Sequence, residues 1–126
     1  MNITADDCHL LARHKQSKPW NDALEEDQKA IRELWTRLKT LAADAAEQYQ
    51  GSTVVKAFTS HLNPSGRTPK ELWCCIFPVS VPNKSFALQT AIIVSGQGVE
   101  ICSCLGAGTS AINKPEIRRR CDISLA

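Results

Sequence analysis

Two patterns of apolar spacing divide the chain near residue 50. Before it, Leu24, Ile31, Leu34, Trp35, Leu38, Leu41, Ala42, Ala45 and Tyr49 recur with helical spacing and form one apolar stripe. Glu25, Glu26 and Asp27 crowd the first turn of this helix, where its dipole favours negative charge. Asp22, with Glu25 three residues later, is the expected cap, and Trp20 just ahead is the expected hydrophobic anchor. Glu33 and Arg37 make a favourable i,i+4 pair, and Gly51 is a good stop. A shorter helix is predicted over 4–14, with Thr4 as cap and Asp7 three residues on. Residues 15–20 join the two, because Pro19 pushes Lys18 away from helical geometry.

After Gly51 the apolar runs become short and β-branched. Strands are predicted over 53–59, 72–77, 86–94 and 99–105. Residues 61–70 (HLNPSGRTPK) are a loop, punctuated by Asn-Pro, Ser-Gly and Thr-Pro, and 78–84 are a second loop with two prolines. Ser95-Gly96-Gln97-Gly98 reads as a hairpin turn with glycines where positive φ is needed. A short basic helix is expected over 115–120, opened by Pro115. The sum is a single α+β domain over 1–126: N-terminal helices over 1–50 packed on a mainly antiparallel sheet of about four strands within 51–126.

Composition fits that reading: 126 residues, 43% hydrophobic and 22% charged, are globular rather than disordered. The length excludes a barrel enzyme or a dinucleotide-binding enzyme with its own substrate domain. The net charge of +2 gains meaning when split at residue 50. The first part holds seven basic and nine acidic side chains, the second eight and four, so the basic excess lies with the strands. Six cysteines suggest disulfides, but Cys74, Cys75, Cys102 and Cys104 sit inside apolar runs, where buried free thiols are the ordinary reading. The opening residues carry Asp6, Asp7 and His9 rather than an uninterrupted apolar stretch, so a cytoplasmic chain is expected. No run of 18 apolar residues marks a membrane span.

Catalytic signals are weak. Gly106 to Ser110 (GAGTS) follows a strand, but it lacks the Lys of a phosphate-binding P-loop and the third Gly of the dinucleotide fingerprint. It is similar to the Gly-Ala-Gly-x-Ser opening of the sirtuin NAD-binding fold, but the family's continuation is missing, so a plain glycine turn is expected. The adjacent Cys-Cys and the Cys-x-Cys inside strands are poor metal-ligand pairs. No catalytic residue, cofactor or metal is therefore assigned. A binding surface fares better. His61, Ser65, Arg67 and Lys70 share one loop, Lys56 and Lys84 are near in sequence, and Arg118, Arg119 and Arg120 form a basic run. Phe58, Trp73, Phe77 and Phe86 are interleaved with them, and basic loops beside aromatics hold phosphates and stack bases.

The strand half resembles the N-terminal DNA-binding module of McrB-type modification-dependent restriction systems. The similar pieces are VVKAFTS (54–60), SGRTPKELWCCIF (65–77), FALQTAIIVS (86–95) and VEICSCLGAG (99–108), under half of the chain. Glu100 and Gly106 fall at matching places in the hairpin. The resemblance implies a module that holds duplex DNA at a basic surface and takes a modified cytosine out of the stack into a pocket. Trp73 matches the family's strand-two Trp, and Gln89 stands where the family can carry a pocket aromatic; a Gln there reads a base edge instead.

The expectation is a non-enzymatic DNA-recognition domain of a prokaryotic restriction or antiviral defence system, working with a separate effector domain or subunit. Its partner is duplex DNA, with His61, Ser65, Arg67, Lys70 and Lys84 on the DNA and Trp73 with Gln89 at a base pocket. The alternative is a protein–protein sensing or adaptor domain of such a system, without nucleic-acid binding. On the first reading, Arg67→Ala with Lys70→Ala weakens duplex binding and flattens its salt dependence in a polarisation titration, and an unchanged titration removes the loop from the interface.

Overall fold

The computed structural model describes residues 3–49, 54–80 and 88–105. Their order is helix α1 (Ala5–Ala12), a single 3-10 turn (Trp20–Asp22), helix α2 (Glu25–Gln48), and strands β1 (Val55–Thr59), β2 (Glu71–Pro78), β3 (Leu88–Ser95) and β4 (Gly98–Leu105). The strands form one antiparallel meander in the order β1-β2-β3-β4, so the α+β reading and the four strands are correct. Gly51, Lys84, the Gly106 to Ser110 turn and the basic segment 115–120 lie outside the described residues. No described helix is long and apolar enough to cross a membrane.

The helices lie on one face of the sheet, α2 over β1 and β2, and α1 beside β3 and β4. Ile31, Leu34, Leu38 and Ala42 of α2 meet Leu10 and Leu11 of α1, Leu72 and Cys74 of β2, and Val94 of β3 in one core. Burying each large aliphatic side chain here is worth about 1.5–3 kcal/mol relative to exposing it. The opposite face holds a second cluster, Cys75, Phe77 and Ala91 with Phe58, Trp73 and Cys102 packed on it. Both faces of β2 are therefore apolar, which explains the unbroken run from Leu72 to Phe77. Adjacent Cys74 and Cys75 point to opposite faces and are both buried. Neither is in a disulfide, nor are Cys8 and Cys102, and burial pushes the Cys74 thiol pKa up.

The apolar stripe is shorter than the spacing implies. Leu24, Ala45 and Tyr49 are exposed: Leu24 is the N-cap ahead of the helix, Ala45 lies in its last turn and Tyr49 is the C-cap. Asp22 is not the cap of α2. Trp20 is buried and draws the chain into the 3-10 turn, so the helix starts at Glu25 with Leu24 in the cap position. The Gln28 side chain ties the preceding turn to the helix, donating to the carbonyls of Trp20 (3.2 Å) and Ala23 (3.1 Å). Trp20 does act as the anchor, with the Arg32 guanidinium 5.2 Å from its ring centre.

At α1 the expected cap forms and does more. The Asp7 carboxylate accepts the Thr4 backbone N–H at 2.8 Å and, from α2, both terminal nitrogens of Arg37 at 2.8 and 2.6 Å. Arg37 thus ties the helices together across 30 residues rather than serving only its i,i+4 neighbour Glu33. A second tie runs from the connector: Asp27 accepts Arg13 Nη2 at 2.9 Å and faces His14 Nε2 at 3.0 Å, with His14 fully buried. The Arg37 guanidinium holds the Asp7 carboxyl below its ordinary pKa of 3.8, and Arg13, then His14, do the same for Asp27.

The hairpin glycines divide their duties. Gly98 has φ +134°, a conformation L side chains rarely adopt, whereas Gly96 does not use the left-handed region. Gly96 is needed for contact: a Cβ there falls 2.8 Å from Cα of Ala12, so only glycine lets the hairpin tip reach the end of α1.

The paired carboxylates set the acid response. Depressed folded pKa values mean that Asp7 and Asp27 add stability that is complete above about pH 4 and lost as pH falls through their lower folded values. Arg37→Met should cost about 2 kcal/mol at pH 7, by leaving Asp7 buried and charged without its cation. Urea melts should show that gap narrowing as pH drops below 4, where protonated Asp7 no longer needs the cation. A gap that stays constant with pH would place the loss in packing instead.

Candidate nucleic-acid interface

The loop between β1 and β2 is held rigidly, and its holder is the helical connector. At the loop's start, Ser60 is buried and locked. Its N–H donates to the Trp73 carbonyl (2.8 Å), its hydroxyl accepts the Trp73 N–H (3.1 Å), and its carbonyl accepts the Trp35 indole N–H from α2 (2.8 Å). Next, Asn63 Oδ1 accepts the N–H (3.1 Å) and hydroxyl (2.7 Å) of Ser65, a side-chain-closed turn that ends when the Gly66 N–H reaches the Asn63 carbonyl.

Residues 66–68 then run antiparallel to residues 17–20. The Trp20 N–H donates to the Gly66 carbonyl (3.0 Å) and the Thr68 N–H to the Lys18 carbonyl (2.7 Å). The Lys18 N–H donates to the Thr68 hydroxyl (3.1 Å), the Ser17 hydroxyl to the Thr68 carbonyl (2.7 Å), and the Arg67 guanidinium to the Ser17 carbonyl. Pro19 and Arg67 face each other as an isolated bridge. Thr68 is buried, and its amide, hydroxyl and carbonyl are all bonded to the connector.

This clip brings four cations to one end of the sheet. Lys15 and Lys18 come from the connector, Arg67 and Lys70 from the loop. Lys15, Arg67 and Lys70 are exposed and Lys18 is half-buried. The described carboxylate ion pairs go to Arg13, His14 and Arg37, so none of these four is neutralised by a described carboxylate. Lys15 and Lys70 share a cleft of about 410 Å³ between the end of α1 and the hairpin tip. Charge counted along the chain hid this grouping, because it set the connector's cations against the acids of α2. The signal was local: Arg13, His14, Lys15 and Lys18 lie within six residues.

On the face away from the helices runs an aromatic strip. Exposed His61 stands edge-on to Phe58, with ring centres 5.4 Å apart, and Phe58 lies tilted against half-buried Trp73 at 5.7 Å. At its other end the Lys56 ammonium sits 5.1 Å from the Phe77 ring centre. Ser65 is exposed on the loop, where its polar groups close the Asn63 turn.

Trp73 and Gln89, both expected at a base pocket, are not brought together. Both face away from the helices, but Trp73 pairs with Ile93, and Gln89 is four residues further along β3, about 13 Å away at strand spacing. Gln89 is buried toward the Phe77 end. Residue parity placed both on one face, and the strand register separated them. Lys84 lies outside the described residues.

The chemistry on offer is electrostatic and stacking. Among the described residues no three His, Cys, Asp or Glu side chains gather as a metal site. Comparison with known proteins finds no matching family model, no matching curated protein and no matching solved structure.

Proposed function

We propose that this chain is the DNA-recognition domain of a cytoplasmic prokaryotic restriction or defence system, and that it contacts duplex DNA with the basic end of its sheet. The observation that supports this best is the clip itself. It gathers Lys15, Lys18, Arg67 and Lys70, residues from segments about fifty positions apart, and none of them is paired with a described carboxylate. Holding like charges together is unfavourable in the isolated protein, and a polyanion relieves it by releasing its own counterions. The McrB-type resemblance points the same way, since its basic loop is residues 61–70.

The roles divide by position. Arg67, Lys18 and Lys70 hold phosphates. Ser65 lies on the same loop and adds a polar contact to the backbone. His61 leads from the basic end to Phe58 and Trp73, and the strip offers a stacking surface for an extruded base. The domain reads and does not cut; an effector domain or subunit supplies the chemistry.

One observation favours the protein–protein adaptor as a second reading. Strand β4, at the edge of the described sheet, leaves Ile101 72% exposed and Val99 48% exposed on the helix side. An edge strand with bare apolar side chains is a ready pairing surface.

A polarisation titration with a labelled duplex of about 20 base pairs separates the readings. The DNA-recognition reading expects binding at low salt, with a log–log salt slope of about −3 for three phosphate contacts. No binding at the lowest salt, together with concentration-dependent self-association, contradicts it and supports the adaptor.

A further inference from the structure

The cleft between α1 and the β3–β4 hairpin tip has a composition that the general reading does not explain. Apolar Leu11 and Ala12 line it together with two lysines, Lys15 and Lys70, and with Gly96 and Gln97 of the hairpin tip. Glu71 and Ser95 complete the lining, so a single carboxylate faces the two cations. The end of a helix usually repels an anion through its free carbonyls. Here the Leu11 carbonyl accepts the His14 N–H at 3.0 Å and the Ala12 carbonyl accepts the Lys15 N–H at 3.2 Å, so that repulsion is blunted. The volume, about 410 Å³, suits a nucleotide-sized group. The cleft also has fixed walls. Gly96 touches Ala12 so closely that a Cβ would fall 2.8 Å from its Cα, and Lys70 leads directly from the clipped loop into β2.

We propose that this cleft is a subsite for one sugar–phosphate unit. The phosphate oxygens meet Lys15 and Lys70, the Gln97 side chain donates to the same group, and the sugar lies on Leu11 and Ala12. The assignment rests on the DNA-recognition reading for its natural ligand, the backbone of a bound duplex; a free nucleotide offers the same chemistry. Lys18 and Arg67, on the adjoining clip, hold neighbouring phosphates.

Two measurements on the full chain test it. Amide shifts in ¹⁵N-labelled protein are followed during titration with deoxycytidine monophosphate and, separately, with deoxycytidine. The monophosphate should move the amides of Lys15, Gly96 and Gln97, the nucleoside should not, and Lys15→Gln with Lys70→Gln should abolish the response. Both lysines are exposed, so the double variant keeps the fold. In duplex titrations it should lose about tenfold in affinity at low salt, and its salt slope should fall by about 1, for the one phosphate the two lysines share. Monophosphate shifts without any duplex binding support the subsite as a free-nucleotide site while overturning the DNA-recognition reading. Duplex binding that the double variant leaves intact, or equal shifts from nucleotide and nucleoside, overturns the subsite and leaves the wider reading standing.

Discussion

Thr68 is the point on which the arrangement depends. A loop carrying two prolines and a glycine has no reason of its own to hold one shape, and burying its polar backbone is costly unless each group finds a partner. Thr68 solves this with three bonds to residues 17 and 18, and the Trp20 N–H to Gly66 and the Arg67 guanidinium to Ser17 extend the contact on either side. The clip converts two flexible segments into a rigid edge and sets the positions of Lys15, Lys18, Arg67 and Lys70. The buried Trp20 side chain secures it from the helical core, and Ser60, tied to both Trp35 and Trp73, secures it from the sheet.

The charges outside the clip serve the same end. Asp7 and Asp27, the two buried acids of the helical layer, are both paired internally, with Arg37 in one case and with Arg13 and His14 in the other. Those pairs lock α1 and the connector to α2, so the support under the basic edge is stiff. They also remove two carboxylates from competition for the edge lysines. The polarity of the molecule is therefore a product of folding rather than of its two sequence halves. The acidic half donates its connector to a basic surface, while Asp7 and Asp27 face inward and its other acids lie on α1, the 3-10 turn and α2.

Much of the fold was legible because it follows period. The α2 stripe, the short capped helix and the four strands depend on local spacing, and Thr4 with Asp7 forms the expected capping box. Where a side chain's tertiary preference overrides a local signal, the reading fails. Burial of Trp20 moves the start of α2 past Asp22, and Leu24, Ala45 and Tyr49, at the two ends of α2, stay in solvent. The clip carried no pattern at all, since it pairs backbone groups some fifty residues apart. Trp73 and Gln89 show the same limit within the sheet: alternation gives the face, and only register gives the distance.

The account stands or falls on whether the clip is a stable part of the native state. Native-state hydrogen exchange reads it directly at the amides of Thr68 and Trp20, which donate across it to Lys18 and Gly66. The account predicts that both exchange only through global unfolding, with the same free energy as the core amides of Leu34 and Leu38. Exchange as fast as in a free loop, with the core still protected, would contradict it and leave the four cations without a fixed arrangement.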